Sequence, residues 1–170
     1  RPPDAPRGAD EPVDEQQESA HEERKAATQR ANETSAGLAP LGTPTLLGLP
    51  DGRLADAPEA RAQITDFIRA ATPDLVITHA PEDYHPDHRA LSSFVTDAVG
   101  FICPVLFCDT LMGVGFTPDY YIDISEHFTA KQNAIMAHNS QDPSRFVSAS
   151  KIMNRFRAAQ CNAPDGVFTQ

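Results

Sequence analysis

The chain has 170 residues, which is enough for one domain with a sizeable hydrophobic core. Its net charge of -10 argues against a nucleic-acid partner, because a surface that binds a phosphate backbone is basic. No stretch reaches the roughly 18 consecutive apolar residues that a membrane span needs, so no membrane span is predicted.

The N-terminal residues 1–18 are rich in Pro, Asp, Glu and Gln and contain almost no apolar side chains. Such a segment cannot bury enough surface to fold alone, so we predict a mobile polar arm or loop. From about 22 to 41 alanines and charges mix at helical spacing, and Gly42 is a typical helix stop. An apolar strand is predicted over 45–49, closed by a turn at 50–52.

The next two predicted elements are a helix over 58–71 and a strand over 75–78. The helix is amphipathic, and Pro73 ends it. The strand is apolar throughout, as expected when both faces of a sheet are covered. The expected apolar face of the helix consists of Ala62, Ile64, Phe67, Ile68 and Ala71.

The remaining elements continue the alternation of strands and helices. Helices are predicted over 88–99, 126–138 and 146–161, and strands over 104–107 and 120–124. Strands that alternate with helices of this length indicate βαβ units. The predicted fold class is therefore α/β with a mainly parallel sheet.

The three cysteines form no Cys-x-x-Cys pair, and their odd number favours a protein without a disulfide framework. Cys103 and Cys108 lie in an apolar run, where a free cysteine usually behaves as a small core residue. This pattern predicts a cytoplasmic protein.

The densest group of titratable side chains is the segment DYHPDHRA, residues 83–90, which follows a predicted strand. Pro86 fits the first turn of a helix, which makes His85 the N-cap region and puts Asp87 and His88 in the first turn. The free N–H groups of a helix start favour a developing negative charge. The two histidines, three residues apart, can face one cavity.

A hydrolytic zinc site needs about three protein ligands and an open position for water. One segment with two histidines does not complete such a site, so at least one further ligand must come from elsewhere in the protein. The alternative is a polar loop that caps a helix and binds no metal.

Residues 76–90, VITHAPEDYHPDHRA, strongly resemble the second signature of the LmbE-like, or PIG-L, family of zinc-dependent N-deacetylases. The resemblance runs from about Arg30 to Gln141, and its other pieces follow in the family's order. They are an Arg-x-x-Glu helix and Leu-Gly turn (30–33, 41–42), a strand and turn (47–52), a late strand (121–125) and a helix ending in His-x-Ser-Gln (131–141).

The family's first signature, His-Pro-Asp-Asp-Glu, is absent from the chain. In the family it follows the first strand and supplies a His and an Asp metal ligand, together with the Asp that acts as general base. The resemblance therefore implies a Rossmann-like three-layer sandwich that lacks its N-terminal strand-helix unit, with residues 19–170 as a partial deacetylase domain. Such a fragment is expected to have little activity and low stability alone.

The resemblance also implies roles for individual residues. His88 would be the third zinc ligand, with another divalent metal as the alternative to Zn²⁺. His85 would stabilise the oxyanion of the tetrahedral intermediate, and Asp87 would orient a histidine. The residues near the substrate would be Arg30, Asp83, Tyr84 and His138.

Some of these residues have a simpler structural interpretation. Arg30 could be a surface ion-pair partner, and His138 could complement the dipole at a helix C-terminus. Lys131 lies on the His138 face of its helix, and we expect it to be solvated. Three further histidines stay unassigned: His21, His79 and His127.

The implied function is a zinc-dependent hydrolase that removes an N-acetyl group from an amino-sugar conjugate, such as a GlcNAc derivative, through attack by metal-activated water. Its partner would be a small-molecule amino-sugar substrate, and the formation of a homo-oligomer remains an open alternative. Two other interpretations remain: a catalytically inactive domain of the same fold that serves binding or assembly, and a metal-dependent phosphoesterase. An assay of acetylated amino sugars against phosphate esters would separate them.

Overall fold

The computed structural model describes residues 15–111, 113 and 115–170. Within these residues no helix is long and apolar enough to cross a membrane. Single 3-10 turns lie at Leu54–Asp56, Ser125–His127 and Asn139–Gln141. In chain order the helices and strands are α1 (Glu15–Leu38), α2 (Ala60–Ala71), β1 (Val76–His79), α3 (Pro86–Val99), β2 (Val105–Cys108), α4 (Phe128–Met136) and α5 (Pro143–Gln160).

The two strands pair in parallel, with Val76 opposite Val105 and His79 opposite Cys108. Helix α3 connects them, so β1, α3 and β2 form a βαβ unit with a small open sheet, which confirms the α/β class. Because parallel strands end at the same edge of a sheet, the loops after His79 and Cys108 start side by side. This edge carries the polar side chains described below.

The hydrophobic core lies between α2, α3 and the small sheet. Helix α2 buries Ala60, Ile64 and Ile68, whose spacing of four residues keeps them on one face. The predicted face of this helix is wrong in part, because Phe67 is 43% exposed. The contribution of α3 to the core comes from Phe94, Val95, Ala98 and Val99.

Two of the predicted strands do not form. Residues 45–49 are irregular, although Leu47 and Leu49 pack against the core. In 120–124 only Asp123 forms a bridge, an isolated antiparallel one to Thr169. A strand exists only where a neighbour satisfies its backbone groups, and the composition of one segment does not provide that neighbour.

The helix boundaries differ most from the predictions at the start of α1. Helix α1 begins at Glu15, so residues 15–18 of the predicted arm are helical. Residues 1–14 lie outside the described residues, and the division of the chain into an arm and a domain stays a prediction. The predicted helix 126–138 divides into a 3-10 turn followed by α4.

Candidate active site

The start of α3 positions the first of the predicted site residues. His85 is the N-cap, with an extended backbone (φ -85°, ψ 129°), and Pro86 lies in the first turn, where its missing N–H costs nothing. The backbone N–H of Asp87 donates to His85 Nδ1 at 3.2 Å. Because Nδ1 accepts, the neutral ring carries its proton on Nε2. His85 Nε2–H is therefore the donor that this ring can offer to a ligand.

Asp83 is the hydrogen-bonding centre of the loop between β1 and α3, and it is only 4% exposed. Its Oδ1 accepts the backbone N–H of His85 at 2.8 Å, and its Oδ2 accepts the Thr110 hydroxyl at 2.7 Å. Burial alone would raise the pKa of this carboxyl. The hydrogen bonds from His85, Thr110 and His88 outweigh burial, so the pKa of Asp83 is lowered and the group is a carboxylate at neutral pH.

His88 is oriented by Asp83, because its Nδ1 lies 3.1 Å from Asp83 Oδ1. An ionised carboxylate can only accept, so His88 Nδ1 carries the proton and Nε2 keeps a free lone pair. A histidine held in this way presents Nε2 to a metal, and the carboxylate raises the basicity of the ring. The geometry therefore leaves Nε2 of His88 free, and this is the nitrogen that would bind the metal in the predicted role.

His79, which sequence reasoning leaves unassigned, belongs to the same cluster. Its ring stacks on that of His88, with centroids 3.8 Å apart and an interplanar angle of 3°. Burial, and next the neighbouring His88, lower the pKa of His79, so its ring is neutral at pH 7. His79 ends β1 at the carboxyl edge of the sheet, and that position is the sequence signal that identifies it.

His79, Asp83 and His88 could together hold a metal ion, since one ligand atom from each lies within 4.8 Å of the others. Imidazole nitrogen and carboxylate oxygen are ligands that zinc accepts, so this donor set fits zinc. The Asp83 oxygens already accept three hydrogen bonds. Asp83 is therefore better suited to orient His88 than to bind a metal directly.

The carboxylate of Asp87 makes its contacts away from His79, His85 and His88, and its predicted role of orienting a histidine stays a prediction. It accepts the backbone N–H groups of Gly52 at 2.6 Å and Leu54 at 3.0 Å. Asp87 does contact a histidine, but through its own backbone N–H to His85. Because two backbone donors occupy the Asp87 carboxylate, the side chain that holds a histidine here is that of Asp83.

Arg30 of α1 forms an ion pair with Asp51, and both side chains are exposed. Asp51 directly precedes Gly52, whose N–H is bound by Asp87, so Arg30 contacts the turn that Asp87 holds. Arg30 itself makes no hydrogen bond to the histidine cluster in the described part of the chain. The geometry thus matches the interpretation of Arg30 as a surface ion-pair partner. Arg30 lies near the site only because it contacts the turn that Asp87 holds.

Tyr84 forms a partly exposed border of the cluster. Its ring centroid lies 6.5 Å from that of His85 and 6.3 Å from that of His88, with the rings edge-on. The loop that carries Tyr84 is fixed by Arg89, which donates to the carbonyl oxygens of Asp83 at 2.7 Å and Tyr84 at 2.8 Å. Sequence reasoning does not single out Arg89, because such a contact depends on how the loop folds back over α3.

His138 lies apart from the histidine cluster and lines a cavity of about 450 Å³. Thr110 also lines this cavity, and its hydroxyl donates to Asp83. The cavity therefore adjoins the histidine cluster. Lys131 lies on the same cavity and is half-buried, which contradicts the expectation of a solvated side chain. Burial lowers the pKa of Lys131.

Comparison with known proteins identifies the family of the chain. The family model described as PIG-L, GlcNAc-PI de-N-acetylase, matches residues 7–99, which is more than half of the chain. The chain belongs to the PIG-L family. The range that matches the PIG-L model contains the whole β1–α3 segment, whereas Lys131 and His138 lie beyond it.

Two known proteins are similar to this PIG-L chain, one by its sequence and one by its fold. A diacetylchitobiose deacetylase of Thermococcus kodakarensis is 30% identical over 102 residues. That match covers 50% of this chain and 38% of the deacetylase, so it spans well under half of that enzyme. The crystal structure of the conserved protein TT1542 from Thermus thermophilus has a TM-score of 0.70 at 24% identity, covering 84% of this chain and 71% of that one. At this identity the likeness shows a shared fold.

Proposed function

We propose that this chain carries part of the active site of a zinc-dependent deacetylase, which removes an acetyl group from the nitrogen of an amino-sugar conjugate. The observation that carries the proposal is the hydrogen bond from His88 Nδ1 to the Asp83 carboxylate, next to His85 at the N-terminus of α3. Membership of the PIG-L family and the likeness to a diacetylchitobiose deacetylase support the same reaction.

In this proposal His88 and His85 have different tasks. His88 Nε2 would hold the metal, and Asp83 fixes the direction of that nitrogen through the 3.1 Å contact to Nδ1. When bound there, zinc would act as a Lewis acid toward the amide carbonyl. His85 donates Nε2–H to the carbonyl oxygen as it becomes negative, because its Nδ1 is already occupied by the Asp87 N–H.

The surrounding residues would shape the sugar site. Tyr84 presents a partly exposed ring beside both histidines, which suits contact with the apolar face of a sugar. Arg30 would reach the substrate from the turn at Asp51, and His138 from the neighbouring cavity. The Asp87 carboxylate would act indirectly, since it fixes the loop at Gly52 and Leu54.

The test compares three variants of the full-length protein: His88→Ala, His85→Ala and, as a control, His21→Ala on an exposed part of α1. Zinc per chain is measured by elemental analysis, and acetate release is measured with N-acetylated amino sugars. We expect His88→Ala to lose both zinc and turnover. We expect His85→Ala to keep zinc and to lose about 10²–10³-fold in kcat, the usual cost of removing one oxyanion donor.

Three outcomes would overturn this function. His88→Ala with unchanged zinc content and acetate release would remove the metal assignment. A full-length protein that binds neither zinc nor acetylated amino sugars would favour the inactive-domain alternative. Hydrolysis of sugar phosphates in place of acetylated amino sugars would favour the phosphoesterase.

A further inference from the structure

Thr110, in the loop after β2, contacts the carboxylate that orients His88. Its hydroxyl donates at 2.7 Å to Asp83 Oδ2, across a separation of 27 residues in sequence. Because β1 and β2 are parallel and end at the same edge of the sheet, the loops that carry Asp83 and Thr110 start side by side. Thr110 is half-buried, and the Asp83 side chain is 1% exposed. The Thr110 hydroxyl therefore reaches a carboxylate that is almost fully shielded from solvent.

The two oxygens of Asp83 have different partners. Oδ1 accepts the backbone N–H of His85 at 2.8 Å and lies 3.1 Å from His88 Nδ1, whereas Oδ2 accepts the Thr110 hydroxyl. The torsion that rotates a carboxylate group has a broad distribution and no sharply preferred angle. Partners on both oxygens are therefore needed to fix the plane of the Asp83 carboxylate, and with it the direction in which Oδ1 meets His88.

The backbone that carries Thr110 is itself held by contacts of the preceding residue, Asp109. Asp109 Oδ2 accepts Arg157 Nε of α5 at 2.7 Å, and both of these side chains are 5% exposed. The carbonyl oxygen of Asp109 accepts Gln170 Nε2 at 3.1 Å. These contacts give the Thr110 hydroxyl a fixed position from which it reaches Asp83.

We propose that Thr110 is a positioning residue for the metal ligand and that it acts on His88 through Asp83. Without the hydroxyl, the buried Oδ2 loses a donor, and a buried acceptor left without its partner is costly. The Asp83 carboxylate would then rotate toward another donor or admit water, and His88 Nδ1 would lose its aligned acceptor. This inference rests on the proposed function, in which His88 Nε2 would hold the metal. It adds a residue beyond the range that matches the PIG-L model, which ends at residue 99.

The first test needs no metal and compares Thr110→Val with Thr110→Ser in the full-length protein. Valine keeps the shape of threonine and removes the hydroxyl, whereas serine keeps the hydroxyl. NMR of the imidazole nitrogens in the metal-free protein reports which nitrogen of the neutral His88 ring carries the proton. We expect Nδ1–H in the natural protein and in Thr110→Ser. We expect a shift toward Nε2–H in Thr110→Val, because the hydrogen bond to one ring nitrogen decides the tautomer.

The second test measures zinc affinity by competition with a chelator. We expect Thr110→Val to weaken zinc binding by about tenfold, the lower end of the usual effect of removing an outer hydrogen-bond partner, and Thr110→Ser to stay within about threefold. Thr28→Val is the matched control, because Thr28 is exposed on α1 and its hydroxyl donates to the carbonyl oxygen of Arg24 at 2.9 Å. It should change neither the tautomer nor the zinc affinity.

A double variant tests whether Thr110 acts through Asp83. If it does, Thr110→Val combined with Asp83→Asn should bind zinc within about twofold of Asp83→Asn alone, since residues in one hydrogen-bond network are not additive. Where thermal melting shows that Thr110→Val does not fold, Thr110→Ala takes its place in every comparison.

Three results would overturn the role of Thr110. They are a natural tautomer and natural zinc affinity in the variant without the hydroxyl, fully additive losses in the double variant, and a change in KM alone with zinc affinity intact. The last result would make Thr110 a substrate contact on the cavity that it lines. Because the tautomer is measured without metal, it tests Thr110 even if the full-length protein binds no zinc, which is the result that would overturn the proposed function.

Discussion

The carboxylate of Glu33 in α1 binds both the backbone N–H and the hydroxyl of Ser140, which lies 107 residues further along the chain, at 2.9 and 2.7 Å. Ser140 belongs to the 3-10 turn that follows His138. These two hydrogen bonds therefore fix α1 against the segment that places His138 on the cavity that Lys131 also lines.

Glu33 should stabilise the fold in a pH-dependent way. The Ser140 hydroxyl, and then the other hydrogen bonds, lower the pKa of Glu33 below its ordinary value of 4.5 in the folded state. Its stabilising contribution is present above that ordinary value and is lost as the pH falls through the lowered pKa. We expect Glu33→Gln to lower the free energy of unfolding at pH 7, and the difference from the natural protein to shrink as the pH falls below 4.5 and through the lowered pKa.

Urea unfolding at pH 7, 5 and 3.5 checks this prediction, with Glu22→Gln on an exposed position of α1 as the control. A difference that is as large at the lowest pH as at pH 7 would show that the ionised form of Glu33 is not what stabilises the turn.

Asp83→Asn should weaken metal binding without abolishing the fold. The amide cannot accept all three donors that Asp83 accepts, so His88 loses its fixed orientation. We expect about a 10–100-fold loss in zinc affinity and activity, the usual effect of removing such a partner. We expect a loss of roughly 1–3 kcal/mol in the free energy of unfolding from the unpaired buried donor.

Competition with a chromophoric chelator measures the zinc affinity of Asp83→Asn. Asp66→Asn, an exposed residue of α2, is the matched control and should behave as the natural protein. Natural zinc affinity in Asp83→Asn would mean that another group orients His88.

His79→Phe separates stacking from metal binding. Phenylalanine keeps a flat ring against His88 but has no nitrogen, so the stack at 3.8 Å can persist. We expect His79→Phe to keep zinc affinity within about threefold, because Asp83 continues to orient His88. His79→Ala should lower the zinc affinity further, since His88 loses its packing partner. A complete loss of zinc in His79→Phe would instead identify His79 as a ligand.

Two substitutions in α2 test which face of this helix supports the fold. Ile64 is 3% exposed and lies in the core, so Ile64→Ala should cost about 2–5 kcal/mol in the free energy of unfolding. Phe67 is partly exposed on the neighbouring face, and Phe67→Ala should cost less than about 1.5 kcal/mol. Urea unfolding followed by circular dichroism measures both changes in the free energy of unfolding. Equal losses would mean that Ile64 does not lie on the buried face of α2.

Local signals were sufficient for much of the fold. The start of α3 follows from His85 as N-cap and Pro86 in the first turn, because both effects involve residues next to each other in sequence. The βαβ unit follows from two apolar runs separated by an amphipathic helix. The location of the candidate site follows as well, since His85, Asp87 and His88 lie together on this one segment.

Neither 45–49 nor 120–124 forms the strand that is predicted there, and the reason lies in how the two segments are paired. Both are apolar enough to form strands, yet 45–49 packs as irregular chain. The segment 120–124 pairs with the short segment 168–170 through the isolated Asp123–Thr169 bridge and backbone hydrogen bonds of Ile122 and Ile124. Their backbone pairing depends on what lies beside them, and sequence composition does not contain that information.

The sequence by itself determined the family, the βαβ unit and the histidine segment, because helix caps, hydrophobic period and signature spacing are all local properties. Only the tertiary structure decided what Asp83 does. Its oxygens bind the neighbouring His85 and His88, and also Thr110, which reaches them across the edge of the sheet. Only the fold also brought Lys131 and Asp109 to one cavity. Contacts between residues far apart in sequence depend on how strands and helices pack, so no local pattern records them.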